Sequence, residues 1–428
     1  MRLPLAAIII LFAASILTDF YIWLDIRQGR SRNRWAWSNA YAISSLILWI
    51  FLGVTVALPR RDLDGGIYAV MWMLTSYLSI YIPKFVYCIF SILGRIPLIF
   101  RGRRWLWMNY AGAFIGIICF ALVWHGILYT RTHPQHVNVT LNSERIPDSF
   151  DGYRIVHISD LHLGTWNNNT GFVSEFVTTI NNMKPDLIVF TGDIVNQKSD
   201  EIKPFLNILS KLEAADGVYS ILGNHDYGDY VDWPSKSAKE ENLEKLKEYQ
   251  KEAGWKMINN DHDFIVISNG KKRDSIAIIG VENWGEPPFA RYGDLGAAYP
   301  NENGKGLRDN NFKILLTHNP EHWVRQVRKN TNIDLSLSGH THAWQMSLDA
   351  FGRRFSPSAF RYPTWGGFYT ENGIGEIEDF GNPVTTGGLE RSLDHPSLYV
   401  NIGAGEVGMP FRILDSNPEI TIITLKKK

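Results

Sequence analysis

Along the first 135 positions the apolar residues run in long blocks, and beyond residue 154 they come in short bursts between polar stretches. Four blocks stand out, at roughly 3–24, 40–58, 67–83 (reaching on towards 93) and 107–128. Each approaches the ~20 residues a helix needs to cross about 30 Å of hydrocarbon. Tyr21, Trp23, Trp35, Trp37, Trp105, Trp107 and Tyr129 lie near the block ends, where interfacial anchors belong. Pro83–Lys84 interrupts the third block, which makes 85–100 a candidate interfacial segment. A cleavable leader accounts for the first block and not for the three that follow.

The later pattern predicts strands at 154–159, 187–191, 218–222, 275–281, 313–317, 334–338, 398–402 and 420–425. Helices are predicted at about 171–183, 201–212, 237–253 and 320–328. Strands alternating with amphipathic helices, then further strands, predict an α/β sandwich. Residues 131–150 read as a polar connector. Residues 351–393, rich in Gly, Pro and aromatics, read as a long ordered loop or lid. The resulting division is a four-helix membrane region over 1–130, the connector, and a catalytic domain over 151–428.

Charge sharpens this division. The chain has 428 residues, 43 basic and 43 acidic, so its formal charge is zero. Residues 1–135 carry 13 Lys and Arg against 4 acidic residues, a net +9, and the remainder carries net −9. A basic nucleic-acid surface is not expected from this balance, and two cysteines, Cys88 and Cys119, exclude a disulfide scaffold. Arginine placement predicts orientation. Arg27, Arg30, Arg32 and Arg34 follow the first block, and Arg95, Arg101, Arg103 and Arg104 follow the third. The other side offers Arg2, Arg60, Arg61 and Arg131, with Asp62 and Asp64 beside the middle pair. Eight against four places the first and third loops in the cytoplasm, and the C-terminal domain outside.

The chemistry sits at strand ends. Asp160-Leu-His162 follows the first predicted strand of the domain, Gly192-Asp193 the second and Gly223-Asn224-His225-Asp226 the third. His318 and Gly339-His340-Thr341-His342 follow two later ones. Carboxyl ends of strands form the ligand crevice of an open α/β sheet. Carboxylate, imidazole and amide-oxygen donors suit a pair of divalent ions such as Mn, Fe or Zn. Each motif is weak alone; five in order after five strands point to one dimetal site. His157 reads as core. His125, His133, His136, His262, His322 and His395 stand outside any motif.

The set DLH…GD…GNHD…H…GHTH resembles the calcineurin-like metallophosphoesterases over about residues 150–428. The multi-span N-terminus is similar to their membrane-associated subgroup, which includes relatives of bacterial UDP-2,3-diacylglucosamine hydrolases and the animal transmembrane metallophosphoesterase protein. The ending NIGAGEVGMPFRILDSNPEITIITL is also like that subgroup's. One departure is Ala343-Trp344-Gln345, where close relatives often have Gly-Gly-Gln. The resemblance implies a four-layer α/β/β/α sandwich. It implies one ion held by Asp160, His162 and His342, another by Asn224, His318 and His340, and Asp193 bridging both. His225 faces the substrate. Asp226, next in sequence, reads either as the acceptor that orients His225 or as a turn carboxylate. The implied chemistry is in-line attack by a metal-bound hydroxide on a phosphoester or pyrophosphate.

Tyr227, Trp344, Arg353, Arg354 and Arg361 are candidate substrate contacts, because aromatics beside arginines suit a phosphorylated amphiphilic or lipid substrate. Tyr230, Trp233, Tyr362, Trp365, Phe368 and Tyr369 fall in the same stretches, and a loop packed by its own aromatics is an equal reading. The expectation is therefore an integral enzyme of a bacterial inner (plasma) membrane, with its catalytic domain on the outer face. Two rivals are a UDP-2,3-diacylglucosamine-type pyrophosphohydrolase facing the cytoplasm, and a non-catalytic metal-binding membrane sensor or scaffold. A transporter is disfavoured, because only Asp19 and Lys84 are candidate buried charges in the membrane half.

Overall fold

The computed structural model describes residues 5–29, 31–58, 66–270, 272–287, 290–299, 307, 311–351, 353–372, 376–379 and 388–428. Arg2, Arg30, Arg60, Arg61, Asp62 and Asp64 of the orientation count lie outside these. One compact unit spans Met1–Leu128 with Gly408–Phe411; a second spans Tyr129–Val407 with Arg412–Lys428.

The first unit holds four helices long and apolar enough to cross a membrane: Leu5–Gln28, Arg34–Ala57, Gly66–Leu93 and Trp107–Leu128. The third corrects the expected break, since it runs through Pro83 to Leu93 and 85–93 is not a separate interfacial piece. A proline forfeits one backbone hydrogen bond, which packed neighbours in a helical bundle tolerate. Gly116 lies against Pro83, where an added Cβ would sit 3.1 Å from the Pro83 carbonyl oxygen.

The bundle carries more charge than expected. Asp19 accepts from Tyr41, Trp49, Tyr81 and Lys84. Asp25 accepts from Tyr87, Arg95, Arg104 and Asn109. Each carboxylate is thus paired and hydrogen-bonded, the condition under which a charge is tolerated away from water.

Among the described residues, the second unit has two seven-stranded sheets face to face and a small three-stranded one in the order Arg353–Phe355, Met346–Ala350, Ile413–Leu414. The first runs, in spatial order, Leu389–Ser392, Gln135–Ser143, Glu419–Lys427, Arg154–Ile158, Leu187–Phe190, Val218–Ser220 and Lys256–Met257. The second runs Ile377–Asp379, Gly367–Glu371, Ser397–Val400, Leu335–Ser338, Phe312–Thr317, Lys272–Val281 and Asp261–Asn269. Ile155, Leu187 and Ile423 of one sheet share a buried core with Ile276, Ile314 and Tyr399 of the other. Helices Gly171–Asn182 and Lys236–Glu252 cover the outer face of the first sheet through Phe176, Ile180 and Leu246. Trp323 and Val327 cover the second. This is the four-layer α/β/β/α sandwich.

Two expectations fail. Residues 131–150 are not a connector: Gln135–Ser143 is an inner strand, parallel to the C-terminal strand over nine residues. Val137, Val139 and Leu141 alternate into the core while Asn138, Thr140 and Asn142 face away, so the strand signal is present beneath a polar composition. Nor is 351–393 only a loop. Gly367–Glu371 pairs with Ser397–Val400, burying Phe368 and Tyr369, and Leu389–Ser392 extends the first sheet. These strands are four or five residues long, too short for periodicity to reveal.

Within the first sheet, the strands ending at Ile158, Phe190 and Ser220 are mutually parallel. Within the second, those ending at Thr317, Ser338 and Val400 are too. Every ligating motif follows one of these ends.

Candidate metal centre

Asp160 and His162 leave the first of these strands with φ of 54° and 42°, Asp193 the second with 60°, and His340 and His342 a fifth with 75° and 52°. Left-handed backbone costs roughly 1–3 kcal/mol at a non-glycine residue. It also turns the chain abruptly, so side chains from both sheets swing to one point. Small neighbours make room: an added Cβ on Gly223 would lie 2.3 Å from Asp193 Oδ1, and one on Gly339 would lie 2.2 Å from Asp160 Oδ2.

Two donor clusters result. Asp160, His162 and His342 offer atoms within 4.8 Å of one another, and so do Asp193, His318 and His340. In the first, His162 Nε2 faces His342 Nε2 at 3.1 Å, and His342 Nε2 lies 3.2 Å from Asp160 Oδ1. In the second, His318 Nε2 lies 3.2 Å from His340 Nδ1, 3.1 Å from Asn224 Oδ1 and 3.2 Å from Asp193 Oδ2. The same Asp193 Oδ2 is 3.6 Å from His162 Nε2, so one oxygen borders both clusters.

Neighbouring groups aim these atoms. The His225 backbone N–H donates to Asp193 Oδ1 at 2.7 Å, leaving Oδ2 inward. Asn224 donates its amide nitrogen to the Tyr230 hydroxyl, which turns its oxygen towards His318. His318 Nδ1 donates to the Thr191 carbonyl at 2.8 Å, which leaves its Nε2 as the ring nitrogen that could hold an ion. Opposed ring nitrogens, carboxylate oxygens and an amide oxygen, buried and aimed inward, fit a pair of borderline divalent cations.

Comparison with known proteins agrees with this geometry. The profile described as calcineurin-like phosphoesterase matches residues 153–344. One described as a probable calcineurin-like phosphoesterase transmembrane domain matches residues 1–131. An uncharacterized metallophosphoesterase of Bacillus subtilis (strain 168), YkuE, is 31% identical over 295 residues, covering 67% of this chain and 84% of its own. The chain belongs to the calcineurin-like metallophosphoesterases. A Danio rerio transmembrane protein with metallophosphoesterase domain is 27% identical over 313 residues, 73% of this chain and 62% of its own length. The UDP-2,3-diacylglucosamine pyrophosphatase LpxG of Chlamydia muridarum is 28% identical over 344 residues, 71% of this chain and 92% of its own. The protein is thus an integral membrane metallophosphoesterase, a metal-dependent hydrolase.

Around the metallophosphoesterase site, the geometry favours the turn-carboxylate reading of Asp226 over the one in which it orients His225. Its carboxylate accepts the backbone N–H groups of Asp193, Ile194, Val195 and Gly223, at 2.8–3.3 Å, tying together the two turns that carry Asp193 and Asn224. His225 is held elsewhere: its Nδ1 donates to the Asn196 carbonyl at 2.7 Å. Glu201, which no motif marks, accepts the N–H groups of Asn196, Gln197 and Lys198 and so fixes that carbonyl. Arg412, fully buried, donates to the carbonyls of Ile402, Gly403 and Gly405 behind Asp160. Neither residue carries a sequence signal beyond its charge.

The candidate substrate contacts divide. Tyr227 is buried in the core and stacks on Tyr292 at 3.8 Å, so it is a packing residue. Arg354 is buried in an ion pair with Asp349 and is unavailable to substrate. Trp344, Arg353 and Arg361 are exposed, and Arg361 stacks over Tyr362, whose hydroxyl is 3.2 Å from His340 Nε2. His157 is core as expected, bonded to Thr191.

Electrostatics favour cations over protons at most positions. Burial alone raises the pKa of Asp160 and Asp193, but the facing imidazoles outweigh it and hold both well below the usual carboxylate range. Burial pushes His162 and His340 down, leaving them neutral, the form that ligates. His318 is the exception. Burial lowers its pKa, but Asp193 and Asp160 overcome that and raise it to about 9. Below pH 9, then, an incoming ion displaces a proton from His318, and affinity weakens as pH falls. Titrating Mn into metal-free protein at pH 8, in buffers of different ionisation enthalpy, should show release of about one proton. Heats independent of buffer would contradict this electrostatic account.

Proposed function

We propose that the protein is a membrane-anchored dimetal phosphohydrolase acting on a phosphoester or pyrophosphate bond of a lipid-linked or amphiphilic substrate. The observation that carries the reading is the shared oxygen: Asp193 Oδ2 lies 3.6 Å from His162 Nε2 and 3.2 Å from His318 Nε2. On this reading Asp160, His162 and His342 hold one ion, Asn224, His318 and His340 the other, and Asp193 both. Manganese, iron and zinc all suit the donor set. Two such ions supply Lewis acidity towards phosphoryl oxygens and lower the pKa of bound water.

The chain's own residues do the rest. His225 donates from Nδ1 to the Asn196 carbonyl, so its Nε2 is the ring atom left to meet the substrate; burial lowers its pKa, and it would protonate the departing oxygen as the imidazolium, after taking a proton from solvent. Its ring stands edge-on to His162 at 4.8 Å and against Tyr230 at 4.4 Å, which fixes its tilt beside the ligands. Asp226 keeps the Asp193 and Asn224 turns in register. The complete ligand set argues against a sensor or scaffold that has lost turnover.

Asp193→Asn keeps the side chain's shape and removes its charge. It should abolish Mn-stimulated hydrolysis of an aryl phosphodiester, by at least about 10³-fold, beyond the 10–100-fold typical of groups that only support a ligand. Circular dichroism and melting should show a folded protein. Undiminished activity would refute the dimetal reading.

A second reading is supported by the similarity to LpxG, whose name states a UDP-2,3-diacylglucosamine pyrophosphatase. On this second reading the catalytic unit faces the cytoplasm, whereas the arginine count, eight against four, favours the outer face of a bacterial inner membrane. A compartment-sensitive reporter fused after Lys428 separates them. The arginine count predicts an extracytoplasmic signal; a cytoplasmic signal would overturn that orientation and favour the nucleotide-linked lipid.

A further inference from the structure

The strand pair after His342 is built inside out. Met346–Ala350 pairs antiparallel with Arg353–Phe355, with Leu348 opposite Phe355, Asp349 opposite Arg354, and Ala350 opposite Arg353. A solvated antiparallel ribbon turns its apolar side chains inward and its polar ones to water. Here Ser347 and Arg354 are buried, with Arg354 paired to Asp349 at 2.5 Å. Leu348 and Phe355 face outward, 45% and 52% exposed. Phe351 at the turn is fully exposed, as nearly is Phe360, which ends the following helical turn Pro357–Phe360.

Trp344 precedes them, half exposed. It lies within four consecutive non-glycine residues, His342 to Gln345, that all have positive φ. Left-handed backbone is strained at non-glycine residues. At Trp344 this conformation goes with an indole turned out from the surface. Arg353 shares the outward face with Leu348 and Phe355, and Arg361, also exposed, follows Phe360.

We infer that residues 344–351 and 353–361 form a membrane-docking surface, whose apolar face enters the headgroup–acyl boundary of an anionic bilayer while Arg353 and Arg361 meet lipid phosphates. Aromatic and leucine side chains flanked by arginine are the composition that binds this interface. The four spanning helices keep a bilayer attached to the same chain. Continuity with the ligand His342 means that docking presents the metal centre to phosphate groups at the lipid surface. That consequence rests on the proposed hydrolysis; the docking itself does not.

The test uses the full chain, with Cys88→Ala and Cys119→Ala, reconstituted in vesicles of phosphatidylcholine and phosphatidylglycerol. A nitroxide is attached at Phe351→Cys, at Phe360→Cys and, as a control on an exposed helix, at Lys236→Cys. Collisions with oxygen, which partitions into lipid, are compared with those of a neutral water-soluble nickel chelate. Docking predicts oxygen-dominated collisions at 351 and 360, matching a depth of about 5–10 Å, and chelate-dominated collisions at 236. Chelate access at 351 and 360 equal to that at 236 would overturn the proposal. Shielding from both reagents would overturn it too, since a protein surface would then cover the hairpin. No turnover is needed, so this result stands apart from that of the phosphodiester assay.

Discussion

Two carboxylates and four imidazoles are held out of water within hydrogen-bond reach of one another, and the rest of the catalytic unit is arranged to keep them there. Such a cluster is unfavourable on its own. Buried charge is costly unless compensated, and the left-handed backbone at Asp160, His162, Asp193, His340 and His342 adds strain at each turn. Divalent cations relieve the first cost, and the two sheets carry the second. Each sheet contributes parallel strands whose ends lie together, so that the interior between them, from Ile155 to Tyr399, fixes the distance between ligands of different sheets.

The supporting groups distribute this burden through backbone rather than through side chains. Asp226 gathers four N–H groups, Glu201 three, and Arg412 three carbonyls. Hydrogen bonds to charged groups are stronger than neutral ones, about 1.5–3 kcal/mol against about 1. Arg412 has this advantage in full, while burial raises Asp226 and Glu201 to about 7 and so weakens theirs as they protonate; together these buried groups hold the turns, and the turns hold the donor cluster. The same logic recurs in the membrane unit, where Asp19 and Asp25 each collect several donors from other helices.

The ligands were legible in sequence because a polar motif after an apolar strand is a local pattern. Asp160, His162, Asp193, Asn224, His318, His340 and His342 all stand where their motifs placed them. Functions that depend on distant backbone were not legible. Asp226 adjoins His225 in sequence, which left open whether it orients His225 or holds a turn, and three of its four N–H partners lie about thirty residues earlier. Arg354 looked like a substrate contact among aromatics, but strand alternation turns it inward to Asp349. Gln135–Ser143 carried a genuine period-two signal that polar composition masked, and Gly367–Glu371 was too short to carry one. The Ala343-Trp344 departure has a backbone meaning: both positions have φ near 50°, where glycine fits without strain.

The central claim is that one carboxylate organises two ions. Metal content, measured by inductively coupled plasma mass spectrometry on protein purified with Mn and dialysed, tests it most directly. The account predicts two ions per chain, with Asp193→Asn losing both together. A single ion in the unaltered protein, or a variant that keeps both, would contradict it.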